Sequence, residues 1–197
     1  MSIDFLFPSK FLIALIGVLM SCSSAQAQEK YRIDGTHTFV YFDYSHWGLS
    51  TQSGRFDKTS GVIELDRKAK TGSAQIEISS SSINTGTAKF DDLLRSSDYF
   101  NAADFPVIRF TSSKFNFDEA GAQLLSIEGE LSIKETKLPV TLELQHFQCR
   151  FVLLYLNTAC GANGSAKINR SDFGLGPYTS FVSDAVTLRF SVEALKE

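Results

Sequence analysis

The stretch YRIDGTHTFVYFDYSHWG, residues 31–48, decides how the chain folds, because its side chains alternate at the two-residue period of a β-strand. Val40, Phe42, Tyr44 and His46 share one face; Phe39, Tyr41, Asp43 and Ser45 share the other. Both faces carry aromatics, but the one beginning at Val40 is more apolar and is expected to point inward, with His46 at its end. Read as one strand from Tyr31 to Gly48, the stretch is the first of eight strand-like segments. The others run from Gly61 to Asp66, Ser73 to Ile83, Val107 to Phe117, Gln123 to Ile133, Pro139 to Phe147, Ser165 to Asn169 and Ala185 to Ala194, with turn-forming residues between them. Lys89 to Ser96 breaks the pattern: Phe90, Leu93 and Leu94 recur at helical spacing, so a short helix is expected there, over one end or flank of the sheet. The pattern gives an all-β, mainly antiparallel fold, a barrel or sandwich rather than a parallel sheet.

Residues 1–27 read as a signal peptide. Lys10 precedes the apolar run FLIALIGVLM, and Ala25-Gln26-Ala27 offers a small-x-small cleavage site. The run is too short for a confident membrane span, although an uncleaved anchor is an alternative. A second alternative is lipidation at Cys22, because Leu19-Met20-Ser21-Cys22 is close to a lipoprotein cleavage box. Met before Ser fits that box poorly, so a soluble exported chain is the expected product, one domain over residues 28–197. Asp4 and Lys10 are the only charges in the leader and cancel, so the net charge of −3 carries over to the rest. No basic patch marks a nucleic-acid surface. Export leaves Cys149 and Cys160 as the remaining pair in an oxidising compartment, which implies one disulfide across CRFVLLYLNTAC. Zinc is the alternative, but two Cys and distant histidines lack a recognised ligand spacing.

The run at residues 31–48 resembles the opening of the YceI-like family, periplasmic polyisoprenoid-binding proteins with a lipocalin-like barrel. Tyr31, Ile33, Asp34, His37, Val40, Phe42, His46 and Gly48 carry the match. Residues 97–113 (SDYFNAADFPVIRFTSS) are similar to the family's helix-to-strand passage, 129–144 (GELSIKETKLPVTLEL) to its central hairpin, 168–175 (INRSDFGL) to its Arg-Ser-Asp-Phe-Gly turn and 182–194 to its closing strand. One departure stands at Leu93, where many relatives carry histidine; any role of that histidine does not transfer. The resemblance implies a lipocalin-like barrel of eight strands with one short helix, holding a long isoprenoid inside. About eight antiparallel strands close into a barrel that is either filled by side chains or hollow enough for one ligand.

Catalytic chemistry finds little support. The only histidines are His37, His46 and His146, and no Gly-x-Ser-x-Gly elbow is present. No catalytic residue, metal site or cofactor is assigned. Two readings stay open for His46, structural satisfaction at a strand end and contact with a ligand head group. Arg170 in Arg170-Ser171-Asp172 is read chiefly as part of a turn and secondly as a guanidinium for a quinone oxygen or phosphate. The inward, ligand-lining candidates are Val40, Phe42, Tyr44, His46, Ile76, Ile78, Ile108, Phe110, Leu131, Ile133, Val140, Leu142, Arg170, Val186, Leu188 and Phe190. The expected function is to store or carry a polyprenyl chain or isoprenoid quinone. Its rivals are a lipid-modifying or redox helper enzyme and a stress-related interaction module. The partners expected are that lipid, a membrane met transiently and, as an open alternative, a second copy of the chain. The apolar run Phe151 to Leu156 is expected either to extend a strand packed on the barrel, the favoured reading, or to form a lip at its mouth.

Overall fold

The computed structural model describes residues 28–121 and 123–197; the leader expected over residues 1–27 lies outside them. Among the described residues eleven strands form one antiparallel sheet: β1 (Glu29–Ile33), β2 (Phe39–His46), β3 (Ser50–Phe56), β4 (Thr59–Asp66), β5 (Thr71–Ser79), β6 (Ile83–Asn84), β7 (Val107–Phe117), β8 (Leu124–Ile133), β9 (Thr136–Val152), β10 (Asn157–Asn169) and β11 (Val182–Lys196). The helix α1 spans Ala88–Arg95. Eight strands close a ring in the order β1-β4-β5-β7-β8-β9-β10-β11, because β11 returns to β1 through Ile33 opposite Ala194 and Tyr31 opposite Lys196. The expected eight-stranded barrel with one short helix is therefore the observed fold.

The stretch 31–48 is not one strand. Asp34, Gly35, Thr36 and His37 turn the chain between β1 and β2, because the Asp34 carboxylate supplies the polar partners that such a turn needs. It accepts from the Thr36 amide at 2.9 Å, from the Thr36 hydroxyl at 2.6 Å and pairs with His37 Nδ1 at 2.7 Å. Thr38, fully buried, then fastens the turn to β11: its hydroxyl donates to Glu193 O at 3.2 Å and accepts from the Glu193 amide at 3.1 Å. β2 continues beyond β1 along the same edge of β11, with Val40 opposite Phe190 and Tyr44 opposite Val186. β3 pairs with β2, and β6 with the end of β3, so these three strands form a ribbon outside the closed ring. The eight expected segments did not include β3; its sequence STQSGRF lacks apolar alternation.

Among the described residues no strand lies beyond β6, and α1 covers the opening instead. Asp91, buried, accepts from the Thr85 amide and hydroxyl, both at 2.7 Å, while Arg95 donates to Ser81 O at 2.9 Å and Ile83 O at 2.8 Å. These bonds lock the helix to the segment around β6, and its apolar side turns Phe90 and Leu94 toward the barrel. At the other end a buried cluster that includes Tyr31, Leu65, Ala74, Phe115 and Leu124 plugs the ring.

β9 and β10 run farther than the sequence suggests. β9 pairs with β8 only as far as Glu143; from Leu144 onward it pairs with β10 alone, among the described residues. The ribbon carries the disulfide, with Cys149 and Cys160 directly opposite and their Cα atoms 4.0 Å apart. Leu153–Tyr155 make a short 3-10 turn at its tip, followed by Leu156 with φ 47°. The run does extend β9, which reaches Val152, but it neither packs on the barrel nor forms a lip at the mouth. Phe151, Leu153, Leu154 and Leu156 are exposed rather than packed, and the tip lies beside the last residue pairs of β11, where Asn157 Nδ2 donates to Lys196 O. That is the plugged end, away from the helix-covered opening.

Two measurements follow from this arrangement. Thiol labelling of the denatured, unreduced protein should find neither Cys149 nor Cys160 reactive, and replacing both by Ala should cost about 2–3 kcal/mol of unfolding free energy; two labelled thiols would refute the bridge. In the β1–β2 turn, the bond from His37 holds the Asp34 carboxyl down at about 2, and the same bond raises the His37 imidazole above its ordinary value. By linkage, Asp34 contributes stability above its unfolded value near 3.8 that is lost as pH falls toward 2. His37 contributes stability that is complete below its unfolded value near 6.5 and is lost as pH rises through the higher folded one. In a proton-NMR titration, Asp34→Asn should bring the His37 midpoint down; an unmoved midpoint would remove the pair.

Candidate ligand-binding site

Two apolar chambers lie in line inside the barrel. The outer one, under α1, has a volume of about 390 Å³, and the inner one about 130 Å³. Val40, Ile78, Leu131 and Leu188 line both, so the two chambers meet at these four side chains. Of the expected residues, Val40, Phe42 and Tyr44 on β2, Ile78 on β5, Ile108 on β7, Leu131 and Ile133 on β8, Arg170 after β10, and Val186 and Leu188 on β11 line the outer chamber. Ile76, Phe110, Val140, Leu142 and Phe190 line the inner one. Two-residue alternation brings these positions to one concave surface.

One expected site residue needs correction, and for a second the turn reading favoured above is the one the structure shows. His46 lines neither chamber and is exposed, because β2 ends there and the turn at Trp47 and Gly48, with φ 56° and 67°, carries the chain away from the pleat that would have aimed the ring inward. Arg170 does line the outer chamber, but its guanidinium is engaged by backbone carbonyls: Nε with Ser183 O at 3.1 Å, one terminal nitrogen with Pro177 O at 2.9 Å and with Leu175 O, the other with Val182 O at 3.0 Å. It fixes the loop before β11 and has little left to offer a ligand head group. The Ser171 hydroxyl and amide both bond Asp184, which completes that turn and holds the Asp184 carboxyl below its usual range. The histidines are not assembled: His37 pairs with Asp34, His46 ends β2 and His146 stands exposed on β9.

The tunnel wall has a repeated local feature. Four phenylalanines lie flat against glycines on neighbouring strands: Phe42 on Gly54, Phe110 on Gly129, Phe115 on Gly72 and Phe190 on Gly164. A Cβ on any of these glycines would come within 2.2–2.6 Å of the ring. With hydrogen in that place, each ring packs close against the neighbouring strand. The wall is thus thick with carbon and nearly free of polar atoms. Tyr44 and Tyr99 are exceptions in the outer chamber; burial pushes both phenols above their ordinary value, so they remain neutral donors at neutral pH. Tyr31, whose hydroxyl donates to Glu29, and Thr59, a buried hydroxyl with no hydrogen-bond partner among the described residues, are exceptions in the inner one.

Sequence reasoning missed the outer rim. Trp47, Pro177, Tyr178 and Phe181 line the outer chamber from turn segments, and Phe90, Leu93, Leu94, Tyr99 and Phe100 close it from α1 and the loop that follows. Phe100 meets Phe56 edge-on at 5.6 Å between ring centres. Aromatic residues inside otherwise turn-like segments were the available signal, since a turn that needs only to turn has no use for them. Among the described residues, no group of three or more His, Cys, Asp or Glu is placed to hold a metal ion.

This tunnel, closed at one end and roofed by a helix at the other, defines a lipocalin-like binding fold. The YceI-like domain profile matches residues 31–194, and the chain belongs to that family. It is 30% identical to a UPF0312 protein of Shewanella denitrificans over 94% of this chain and 97% of that one. It is 29% identical to Protein YceI of Escherichia coli O157:H7 over 94% and 96%. Among solved structures, BcnA of Burkholderia cenocepacia superposes with a TM-score of 0.66 at 24% identity, over 82% of this chain and 98% of that one. A polyisoprenoid binding domain from Saccharophagus degradans gives 0.62 at 18% identity, over 85% and 98%. Family membership together with the architecture supports a binding protein.

Gly54→Ala tests the packing of ring on glycine. The new Cβ would stand 2.3 Å from Phe42 Cζ, and its three nearest atoms all belong to that ring, which must swing into the outer chamber. We expect a loss of about 1–3 kcal/mol in stability and reduced uptake of a fluorescent apolar probe, both relieved by adding Phe42→Leu. Unchanged uptake in a folded Gly54→Ala protein would show that Phe42 does not bound the binding space.

Proposed function

We propose that the chain holds one long apolar isoprenoid, a polyprenyl chain or the tail of an isoprenoid quinone, and stores or ferries it after export to the periplasm. The observation that carries this reading is the tunnel itself, two chambers that meet at Val40, Ile78, Leu131 and Leu188, with almost no polar atom on the wall. Burying a methylene there is favourable by about 0.8 kcal/mol, so an unbranched or regularly branched hydrocarbon gains affinity along its whole length without a polar contact. The blind inner end sets the tail's direction, and any polar head stays at the outer chamber, where Tyr44 and Tyr99 offer hydroxyls. The neighbour described as a polyisoprenoid binding domain supports the ligand class, and the signal-peptide pattern of residues 1–27 supports the compartment.

An organic extract of the purified protein, analysed by mass spectrometry, should contain an isoprenoid lipid. An extract with no such lipid would overturn the reading, and its chemical conversion on incubation would replace the carrier with an enzyme. Ile133→Trp, which adds apolar volume to the outer chamber without charge, should lower lipid occupancy severalfold while the barrel stays folded, checked by the same extract and by thermal unfolding.

A further inference from the structure

We propose that the outer end of the barrel, beside its helical roof, docks on a lipid bilayer, with Trp47, Leu49, Tyr178 and Phe181 entering the membrane interface. The purpose of such docking rests on the carrier reading; its geometry does not. The rim is made by two short segments, His46 to Ser50 and Gly176 to Val182, neither of which contains an Asp, Glu, Lys or Arg. Leu49 is 86% exposed, Tyr178 66%, Trp47 57% and Phe181 47%. A run of large apolar side chains left open on a folded surface marks a contact site.

The rim is built, not frayed. The Trp47 amide donates to Phe181 O at 2.8 Å, the Phe181 amide donates to Tyr178 O at 2.9 Å, and the Trp47 and Phe181 rings meet at 4.6 Å between centres. Trp47 and Tyr178 both hold left-handed backbone, with φ 56° and 63°. Bulky residues seldom occupy that region, and here two of them do so while presenting their rings to solvent. Trp and Tyr are also the side chains that settle at a membrane surface, apolar body inward and polar atom toward the headgroups.

Continuity selects the bilayer as the occupant. Trp47, Tyr178 and Phe181 line the outer chamber as well as the surface, so one apolar face runs from outside into the lumen. A hydrocarbon chain can pass along it without crossing water, provided the rim meets the phase in which such chains dissolve. A second copy or another globular partner seated on the rim would cap the tunnel and supply no cargo. The exposed tip at Leu153 to Leu156 is the rival docking point. It stands on a ribbon whose β9 edge has no partner strand beyond Glu143 among the described residues, and hydrocarbon cannot satisfy those backbone groups. That tip also lies at the plugged end.

The chain has one tryptophan, so its fluorescence reports the rim directly. With vesicles of phosphatidylcholine the emission should shift to the blue, dibrominated phosphatidylcholine should quench it, and the protein should float with the vesicles. High salt should change none of these, because the rim segments carry no formal charge. Leu49→Ser with Phe181→Ser should weaken partitioning by about tenfold or more, whereas Leu153→Ser with Leu154→Ser should leave it unchanged; thermal unfolding checks that both variants fold. Absent shift and flotation, quenching without flotation, or flotation lost only in the Leu153 and Leu154 variant would each overturn the proposal. Docking by a protein whose organic extract is empty would remove the carrier reading and leave this one; an isoprenoid in the extract with no docking would do the reverse.

Discussion

The structure depends on one edge of β11. A strand edge offers a single row of amide and carbonyl groups, and this edge is divided between two partners, β1 near its C-terminal end and β2 toward its N-terminal end. The two must therefore lie in file, and the join between them must be covered by something other than a strand. The Asp34 turn and the Thr38 hydroxyl, fastened to Glu193, provide that cover. Where β1 holds the edge, the ring closes through eight strands. Where β2 holds it, the sheet departs as the β2-β3-β6 ribbon and ends without returning. A barrel whose hydrogen bonding closes at one end only must be roofed at the other by side chains, which is the work of α1, Tyr99 and Phe100.

The same division explains why polar chemistry is scarce at the opening. The groups capable of it are already used to hold the roof and the rim. Asp91 and Arg95 bind the helix to β6, and Arg170 gathers the carbonyls of Leu175, Pro177, Val182 and Ser183. A half-buried guanidinium engaged by four carbonyls is a fastening, and moving it to serve a ligand would take a partner from each of them. The space it protects is left to carbon.

Much of this was legible in the sequence because the β period is short and rigid. β7 begins and ends where the alternation of Val107 to Phe117 does, and fifteen of the sixteen inward candidates reach the tunnel wall. The exception, His46, fails because a period says nothing about where the pleat stops. β3 was hidden for a related reason: STQSGRF is held by its neighbours β2 and β6, and its outward polarity mimics a loop. The split of residues 31–48 into two strands was hidden too, since the deciding bonds are made by side chains of Asp34, Thr36 and Thr38. Seventeen Phe residues hinted at a large apolar surface, yet the packing of four of them on glycines is a pairing between strands that no local pattern displays.

The β9–β10 ribbon beyond Glu143 has its own consequence. Two strands alone are marginal in water, and this pair has β11 on one side and nothing on the other among the described residues. Its integrity leans on the Cys149–Cys160 bridge, and Phe147, Cys160, Gly161 and Ala162 from this same ribbon wall the inner chamber. Thiol chemistry and the shape of the inner chamber are therefore linked: reduction would loosen the strands that wall it, so the space available there becomes a function of the redox state around the protein.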